Sequence, residues 1–345
     1  MCGIAGYFAL DGAGADVAVL TRMIDIQRHR GPDDQGMRLF SLSRGTSIEV
    51  CRGCHQPDGG FEGALGFNRL SILDLSSHGH QPMANAEGTI VIAFNGEVYN
   101  AFDYTKELES SGFRFRSRTD TEVLLYLYEK FGIDGLLDRL NGMFAIVIVD
   151  LRTREIHIAR DHFGIKPLYW TIEGSTLLFA SEVKSFLAHP AFRAEIDADY
   201  VDEYLAFRFV AGENSLLKGV KQLRPGHRLR VTSDGVTVHL YWQIPDVAEK
   251  RDRSDADTLD RFDQLLRESV ESQLLSDVKV GCQLSGGIDS SVVSLFARSH
   301  FDADMDTFSV VFDDPKYSEE RWIAQAAAAA NAAGHQFTFS SQFFF

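Results

Sequence analysis

Two repeating patterns share this chain, and one gives way to the other between residues 243 and 257. Ahead of that stretch the apolar residues come in short runs, at 64–68, 90–95, 143–149, 155–160, 168–172 and 177–179, joined by turn chemistry such as Glu173-Gly174-Ser175. Runs of this length bounded by glycine and polar residues predict antiparallel strands. An earlier strand is expected over 3–10, ended by Asp11-Gly12-Ala13-Gly14, after which Val17, Leu20 and Ile24 keep helical spacing until Gly31-Pro32. Two more helices interrupt the strands. Asp103 begins one that Gly112 ends, and Thr119-Asp120-Thr121-Glu122 reads as the capped start of another that Gly132 closes. Short antiparallel strands with few helices predict packed sheets flanked by helices, an α+β arrangement. Past 257 the order becomes helix 259–275, strand 278–284, glycine-rich turn, helix 288–299, strand 307–312 and helix 318–330. Such alternation predicts an α/β parallel sheet, to which the Phe-rich end, 337–345, adds at most one strand, for about three in all. Ile244-Pro245-Asp246 and the charged run 249–255 read as a solvated linker.

At 345 residues the chain exceeds one ordinary core. Its 49 acidic against 34 basic side chains give a net charge of −15, which argues against a nucleic-acid or membrane-surface partner. No apolar run reaches transmembrane length, and the N-terminus lacks the basic start and apolar core of a signal peptide, so a cytoplasmic location is expected. Cys2, Cys51, Cys54 and Cys282 are too few for a disulfide scaffold. Cys51-Arg52-Gly53-Cys54-His55 has the spacing of a metal or redox motif, yet no second CxxC or HxxxH pair completes a zinc site. With Gln56-Pro57-Asp58-Gly59-Gly60 behind it, an exposed loop insertion is expected.

Two stretches carry chemistry. Cys2 directly follows the initiator methionine, whose removal a small second residue permits. The product would hold a thiol nucleophile beside a free α-amine that titrates near pH ~8 and so accepts a proton under working conditions. The bland alternative is a chance Met-Cys start. The second stretch, Ser285-Gly286-Gly287-Ile288-Asp289-Ser290-Ser291, joins the strand 278–284 to the following helix. A helix N-terminus fed by glycines and hydroxyls binds phosphate. No Gly-Lys-Ser/Thr triplet is present, which suggests a hold on departing pyrophosphate, with Asp289 placed for Mg²⁺ among the phosphate oxygens. An ordinary strand-to-helix turn is the other reading.

These stretches, together with Arg30-Gly31-Pro32-Asp33-Asp34, Arg69-Leu70-Ser71-Ile72-Leu73-Asp74, Phe94-Asn95-Gly96-Glu97-Val98-Tyr99-Asn100, Asp120-Thr121-Glu122, the run 159–169 and Ala180-Ser181-Glu182-Val183-Lys184, resemble the glutamine-hydrolysing asparagine synthetases in the family's order. The resemblance implies a class II glutamine amidotransferase domain of the N-terminal-nucleophile hydrolase fold over 2–190, a connecting segment over 191–257, and part of an ATP-pyrophosphatase domain over 258–345. It implies Cys2 as the nucleophile toward glutamine, with the Asn95 side chain and the Gly96 N–H as oxyanion hole. Arg69, flanked by Leu70 and Ile72, would take the glutamine α-carboxylate, and Glu97 and Asp120 its α-ammonium. A hairpin turn at Asn95-Gly96 and a helix cap at Asp120 are the structural alternatives. Ser285, Gly286, Gly287, Asp289 and Ser290 would hold the pyrophosphate of ATP, and Leu284 and Val310 the adenine. ATP with Mg²⁺ and aspartate are the implied co-substrates, without a prosthetic group, and a homodimer is an expected assembly.

Three departures stand out. Phe67-Asn68 precedes Arg69 where the family has His-Arg. Val311 replaces a common glycine and is expected to crowd the nucleotide. The family continues well past residue 345 with a second glycine/serine-rich motif, so the resemblance implies a chain cut short in its second domain. Amide transfer to another carboxylate, or glutaminase activity alone, stand as alternatives.

Overall fold

A computed structural model describes residues 1–246, 254–301, 305–314 and 316–340. Most of the charged run of the expected linker (249–253) and the end of the Phe-rich stretch (341–345) lie outside the described residues. The chain divides into two units, Met1–Pro245 and Asp246–Phe345. Among the described residues no helix is long and apolar enough to cross a membrane.

The first unit runs β1 (Gly3–Ala9), α1 (Val17–Asp25), β2 (Asp34–Ser41), β3 (Thr46–Val50), β4 (Gly63–Arg69), β5 (Met83–Ala84), β6 (Ile90–Val98), α2 (Thr105–Ser110), α3 (Asp120–Leu137), β7 (Gly142–Asp150), β8 (Glu155–Arg160), β9 (Tyr169–Glu173), β10 (Thr176–Ala180), α4 (Val201–Phe207), β11 (Lys221–Gln222), β12 (His227–Thr232) and β13 (Gly235–Leu240). Among the described residues its strands form two antiparallel sheets, ordered β11-β9-β10-β1-β4-β2-β3 and β13-β12-β8-β7-β6-β5. The two sheets pack face to face. Ile4 and Phe8 of β1, Leu65 and Phe67 of β4, Val91 and Ala93 of β6, and Ala145, Val147 and Val149 of β7 share one buried cluster between them. The alternate residues turn outward and are also buried: Ala5 and Tyr7 under α1, and Ile90, Ile92, Phe144, Ile146 and Ile148 under α3. A strand covered on both faces reads as a continuous apolar run, which is why β6 and β7 stand out in the sequence.

Three elements differ from expectation. β2 and β3 occupy a stretch for which the sequence predicts no element, because Arg38 interrupts the apolar run; it pairs across the strands with Glu49 at 3.3 Å. Gly132 (φ 69°, ψ −174°) does break the helix as expected, but helical structure resumes to Leu137. The largest difference is the segment 191–257, expected only to connect. Its β12 pairs antiparallel with β8, and Leu229 and Val231 are fully buried in the inter-sheet core, while Arg228 and Arg230 point away to Asp134 and Glu155.

The second unit contains α5 (Asp255–Ser272), β14 (Gly281–Gln283), α6 (Ile288–Arg298), β15 (Met305–Phe312), α7 (Glu320–Ala329) and β16 (Ala332–Phe339). Its strands pair in parallel, as the alternation predicts, in the order β14-β15-β16; the third strand starts at Ala332, ahead of the Phe-rich end where it is expected. Along β15, Met305 and Val311 pack into small clusters with the helices. Phe308, Val310 and Phe312 stand exposed on the opposite face.

The packing of β12 generates a direct test. A chain of residues 1–245 is expected to unfold in one cooperative urea transition. A chain of residues 1–190 would lose Leu223, Leu229 and Val231, each worth about 1.5–3 kcal/mol of burial, and would uncover the β8 edge. It is expected to aggregate or show no transition, and cooperative unfolding of 1–190 would make β12 dispensable.

Candidate active site

The period-2 alternation that buries Ile4 and Phe8 between the sheets puts Cys2 on the same face, where it packs against the inter-sheet core. Equally, Leu65 and Phe67 lead to Arg69, and Val91 and Ala93 lead to Asn95 and Glu97. Cys2, Arg69, Asn95 and Glu97 thus continue the inward-facing rows of three strands beyond their apolar residues.

Cys2 is fixed from several sides. Its thiol donates to the Leu70 carbonyl (3.6 Å) and accepts from the Leu70 N–H (3.3 Å). Arg30 Nε donates to the Cys2 carbonyl at 2.8 Å, and its guanidinium meets Glu182 at 3.0 Å. Gln27 Nε2 donates to the carbonyl of Ile4 at 2.9 Å. Burial pushes the Cys2 thiol up, an effect opposed by the Leu70 amide, the N-terminal amine, Lys166 and Arg69.

Arg69 is buried and gives its donors to the loop that follows it: Ser76 O at 2.9 Å, Leu73 O at 3.0 Å and Asp74 O at 2.5 Å. The guanidinium therefore shapes the loop bearing Leu70 and half-buried Ile72 while placing a positive charge close enough to act on Cys2. Asn68 donates to Ile24 O at 2.7 Å, which ties β4 to α1.

Asn95 and Gly96 do not form a hairpin turn; they lie within β6, opposite Ala145 and Phe144 of β7. Phe144 spends its N–H and carbonyl on Asp161, so Gly96 faces its backbone groups away from β7. The N–H groups of Phe94, Gly96 and Val98 therefore share the other edge of β6. Gln81 Oε1 accepts the first at 2.7 Å and Asp120 Oδ2 the third at 3.1 Å, which leaves the Gly96 N–H between them. Beside it, Asn95 Nδ2 is buried without a hydrogen-bond partner among the described residues. Orphaned buried donors are costly, and such a group points to a missing acceptor.

Asp120 is not the cap of α3. Thr119 caps it, accepting from Glu122 N, while Asp120 takes the first helical position and turns to β6. Burial, reinforced by the charge of Glu97, pushes the Asp120 carboxyl up to about 7. Burial also raises Glu97, against the pull of Lys166. Among the described residues, neither carboxyl has a basic side chain within ion-pair distance. Lys166 is the member of this group that motif reading passed over. Burial lowers its ammonium, against the pull of Glu97 and Cys2, and the signal was its place inside the 159–169 run.

In the second unit Leu284, Ser285, Ser290 and Val310 line one cleft of about 680 Å³, together with Phe308 and His335. The Ser285 and Ser290 hydroxyls lie 3.0 Å apart and Ser290 Oγ also accepts from Ser285 N. Gly286 has φ 85°, and a Cβ there would lie 3.0 Å from the Trp322 side chain. Gly287 caps α6, and Asp289 stands exposed in its first turn. Val311, expected to crowd a nucleotide, points instead into the helix side with Leu284 and Ile323, because alternation along β15 turns it away from the cleft.

Residues 52–242 match the glutamine amidotransferase domain family and residues 261–345 the asparagine synthase family. Asparagine synthetase (glutamine-hydrolysing) 3 of Bacillus subtilis is 33% identical over 360 residues, covering 99% of this chain and 55% of that protein. A putative asparagine synthetase (glutamine-hydrolysing) 2 of Methanocaldococcus jannaschii is 32% identical over 363 residues, covering 100% and 66%. Amidase chry2 of Gibberella zeae is 32% identical over 355 residues, covering 95% and 49%. The chain thus spans about half to two thirds of these relatives' length. Glutamine phosphoribosylpyrophosphate amidotransferase from B. subtilis, solved with ADP and GMP, superposes with a TM-score of 0.52 at 17% identity over 97% of this chain and 65% of that one. That likeness identifies the fold of the first unit as the N-terminal-nucleophile sandwich. On these matches the chain belongs to the glutamine-hydrolysing asparagine synthetase family, with a class II glutamine amidotransferase domain leading it.

Proposed function

We propose that the chain carries out glutamine-dependent amide synthesis, with aspartate as the acceptor. With Met1 removed, the Cys2 amine accepts the thiol proton as sulfur attacks the side-chain carbonyl of glutamine. The C–N bond breaks, ammonia leaves with that proton, and water resolves the thioester to glutamate. Negative charge grows on the carbonyl oxygen only during attack, and Asn95 Nδ2 with the Gly96 N–H supplies donors for it. Arg69 takes the α-carboxylate, with Leu70 and Ile72 against the ligand, and Asp120 and Glu97 take the α-ammonium. The observation that carries this reading is the Nδ2 of Asn95, buried and without a hydrogen-bond partner among the described residues.

MgATP and aspartate are the proposed substrates of the second unit. The donor set fits a phosphate chain: hydroxyls at Ser285 and Ser290, a glycine loop and the N-terminus of α6. Leu284 and Val310 border the base, and Asp289 is exposed where Mg²⁺ would bridge it to the phosphate oxygens. A carboxylate is a poor electrophile, so adenylation of aspartate precedes attack by ammonia. The reading is of a cytoplasmic enzyme, dimeric as its resemblance implies. A different acceptor carboxylate is the second reading, kept because one relative at 32% identity carries a name other than asparagine synthetase, amidase chry2. Amide product formed from aspartate, MgATP and glutamine, detected by mass spectrometry, separates the two.

Replacing Cys2 by Ala is expected to abolish ammonia release from glutamine. Asn95→Ala is expected to lower kcat by about 10²- to 10³-fold with little change in KM; an unchanged kcat would remove Asn95 from the oxyanion hole. An ammonium beside Asp120 draws its carboxyl down from about 7. Glutamine binding should therefore release a proton near pH ~6 and weaken as pH falls below ~7, because the bound form requires the carboxylate. Calorimetry of Cys2→Ala with glutamine in buffers of different ionisation enthalpy measures that release, and its absence at pH ~6 would rule Asp120 out of the ammonium site. Asp289→Ala is expected to weaken MgATP binding while glutaminase activity stays intact, and equal loss of both would contradict two separate sites.

A further inference from the structure

The loop after β3 is built as a strap across α1. Cys51 and Cys54 are joined by a disulfide, with Cα atoms 5.3 Å apart, and both are exposed. Between them Arg52 reaches back to the carboxylate of Asp25, the last residue of α1. Two residues past Cys54, Gln56 Nε2 donates to Ala15 O at 2.8 Å and Gln56 Oε1 accepts from Val17 N at 3.0 Å, at the start of α1. The strap thus grips both ends of one helix. The turn that follows that helix carries Gln27 and Arg30, whose side chains hold the carbonyls of Ile4 and Cys2 at 2.9 and 2.8 Å. Asp25 is also tied to Gln35 at 3.4 Å, and Gln35 to Asn68 at 3.0 Å, one residue before Arg69.

We propose that Cys51 and Cys54 are a reversible dithiol/disulfide site that sets how firmly α1 is held beneath Cys2. The co-reactant is a dithiol. Its thiolate attacks one sulfur of the Cys51–Cys54 bond, forming a mixed disulfide and releasing the other sulfur as a thiolate that takes a proton from solvent. The second thiol of the co-reactant then attacks the mixed disulfide, freeing the remaining cysteine and leaving the co-reactant oxidised to its cyclic disulfide. Two electrons and two protons pass to the protein. Arg52 between the cysteines and His55 behind them are basic neighbours of the kind that favours thiolate at such a pair. The closed ring fixes Arg52 between two linked Cα atoms, and opening it returns conformational freedom that competes with the Arg52–Asp25 contact. The bond stands apart from the amidotransferase reading, while its effect on glutamine turnover rests on that reading.

The test is to equilibrate the full chain at set ratios of reduced to oxidised dithiothreitol, trap thiols by alkylation and map residues 51–54 by mass. Hydrogen exchange is then followed over residues 17–30. The expected result is a two-electron transition at Cys51/Cys54 and, on reduction, exchange in α1 faster by about 3- to 10-fold. The double substitution Cys51→Ser/Cys54→Ser should fix the fast exchange and remove the redox response, and Arg52→Ala should remove the response while leaving the disulfide able to form. Full alkylation of Cys51 and Cys54 in oxidised dithiothreitol, or identical exchange in both forms, would overturn the proposal. Glutaminase assayed in parallel separates the two readings: no activity in either form counts against the amidotransferase assignment, while the exchange data still decide the strap.

Discussion

Burial of the central strands on both faces is the constraint from which the first unit follows. β1, β6 and β7 must satisfy an inter-sheet core on one side and a helix layer on the other, so their side chains are apolar at every position until the rows run out. Where they run out, the same alternation continues with polar groups. Cys2 extends the row of Ile4, Arg69 that of Phe67, and Asn95 and Glu97 that of Ala93. The candidate site is the core's inner face carried past its apolar end, held by backbone whose register the core has already decided. This accounts for a rigid setting in which a donor such as Asn95 Nδ2 stays buried without an acceptor.

The same constraint explains what the sequence made legible. β6 and β7 read clearly because both faces are apolar, and the parallel pairing in the second unit followed from strand–helix alternation. β2 was opaque because half-buried Arg38 is satisfied by Ser47 and Glu49, partners on a strand formed by later residues. β12 and β13 carried a readable alternation, Leu229 and Val231 against Arg228 and Arg230, yet nothing local says that β8, about 70 residues earlier, supplies their partner. Position in a motif identified Cys2, Arg69, Asn95 and Asp120. It did not reveal that Arg69 gives three of its five N–H donors to its own loop, that Thr119 rather than Asp120 caps α3, or that Lys166 sits in the same electrostatic group, since each depends on a tertiary neighbour.

The second unit shows the opposite economy. Its sheet is covered on one face, and β15 separates the two duties cleanly: Met305 and Val311 pack with helices, while Phe308 and Val310 border the cleft. Val311 illustrates how one residue of register decides chemistry. A branched side chain next to a cleft-lining position leaves the cleft open when the pleat turns it to the other face.

Asp74 gives the site a mechanical property. Its backbone carbonyl accepts from Arg69, and its side chain accepts from the N–H of Arg118 at 2.8 Å, two residues before Asp120. The loop that cradles the thiol and the helix start that carries the buried carboxyl are therefore fastened at one point. A displacement of the loop beside Cys2 pulls on the segment that leads into α3, so the two walls of the candidate site are joined rather than independent parts.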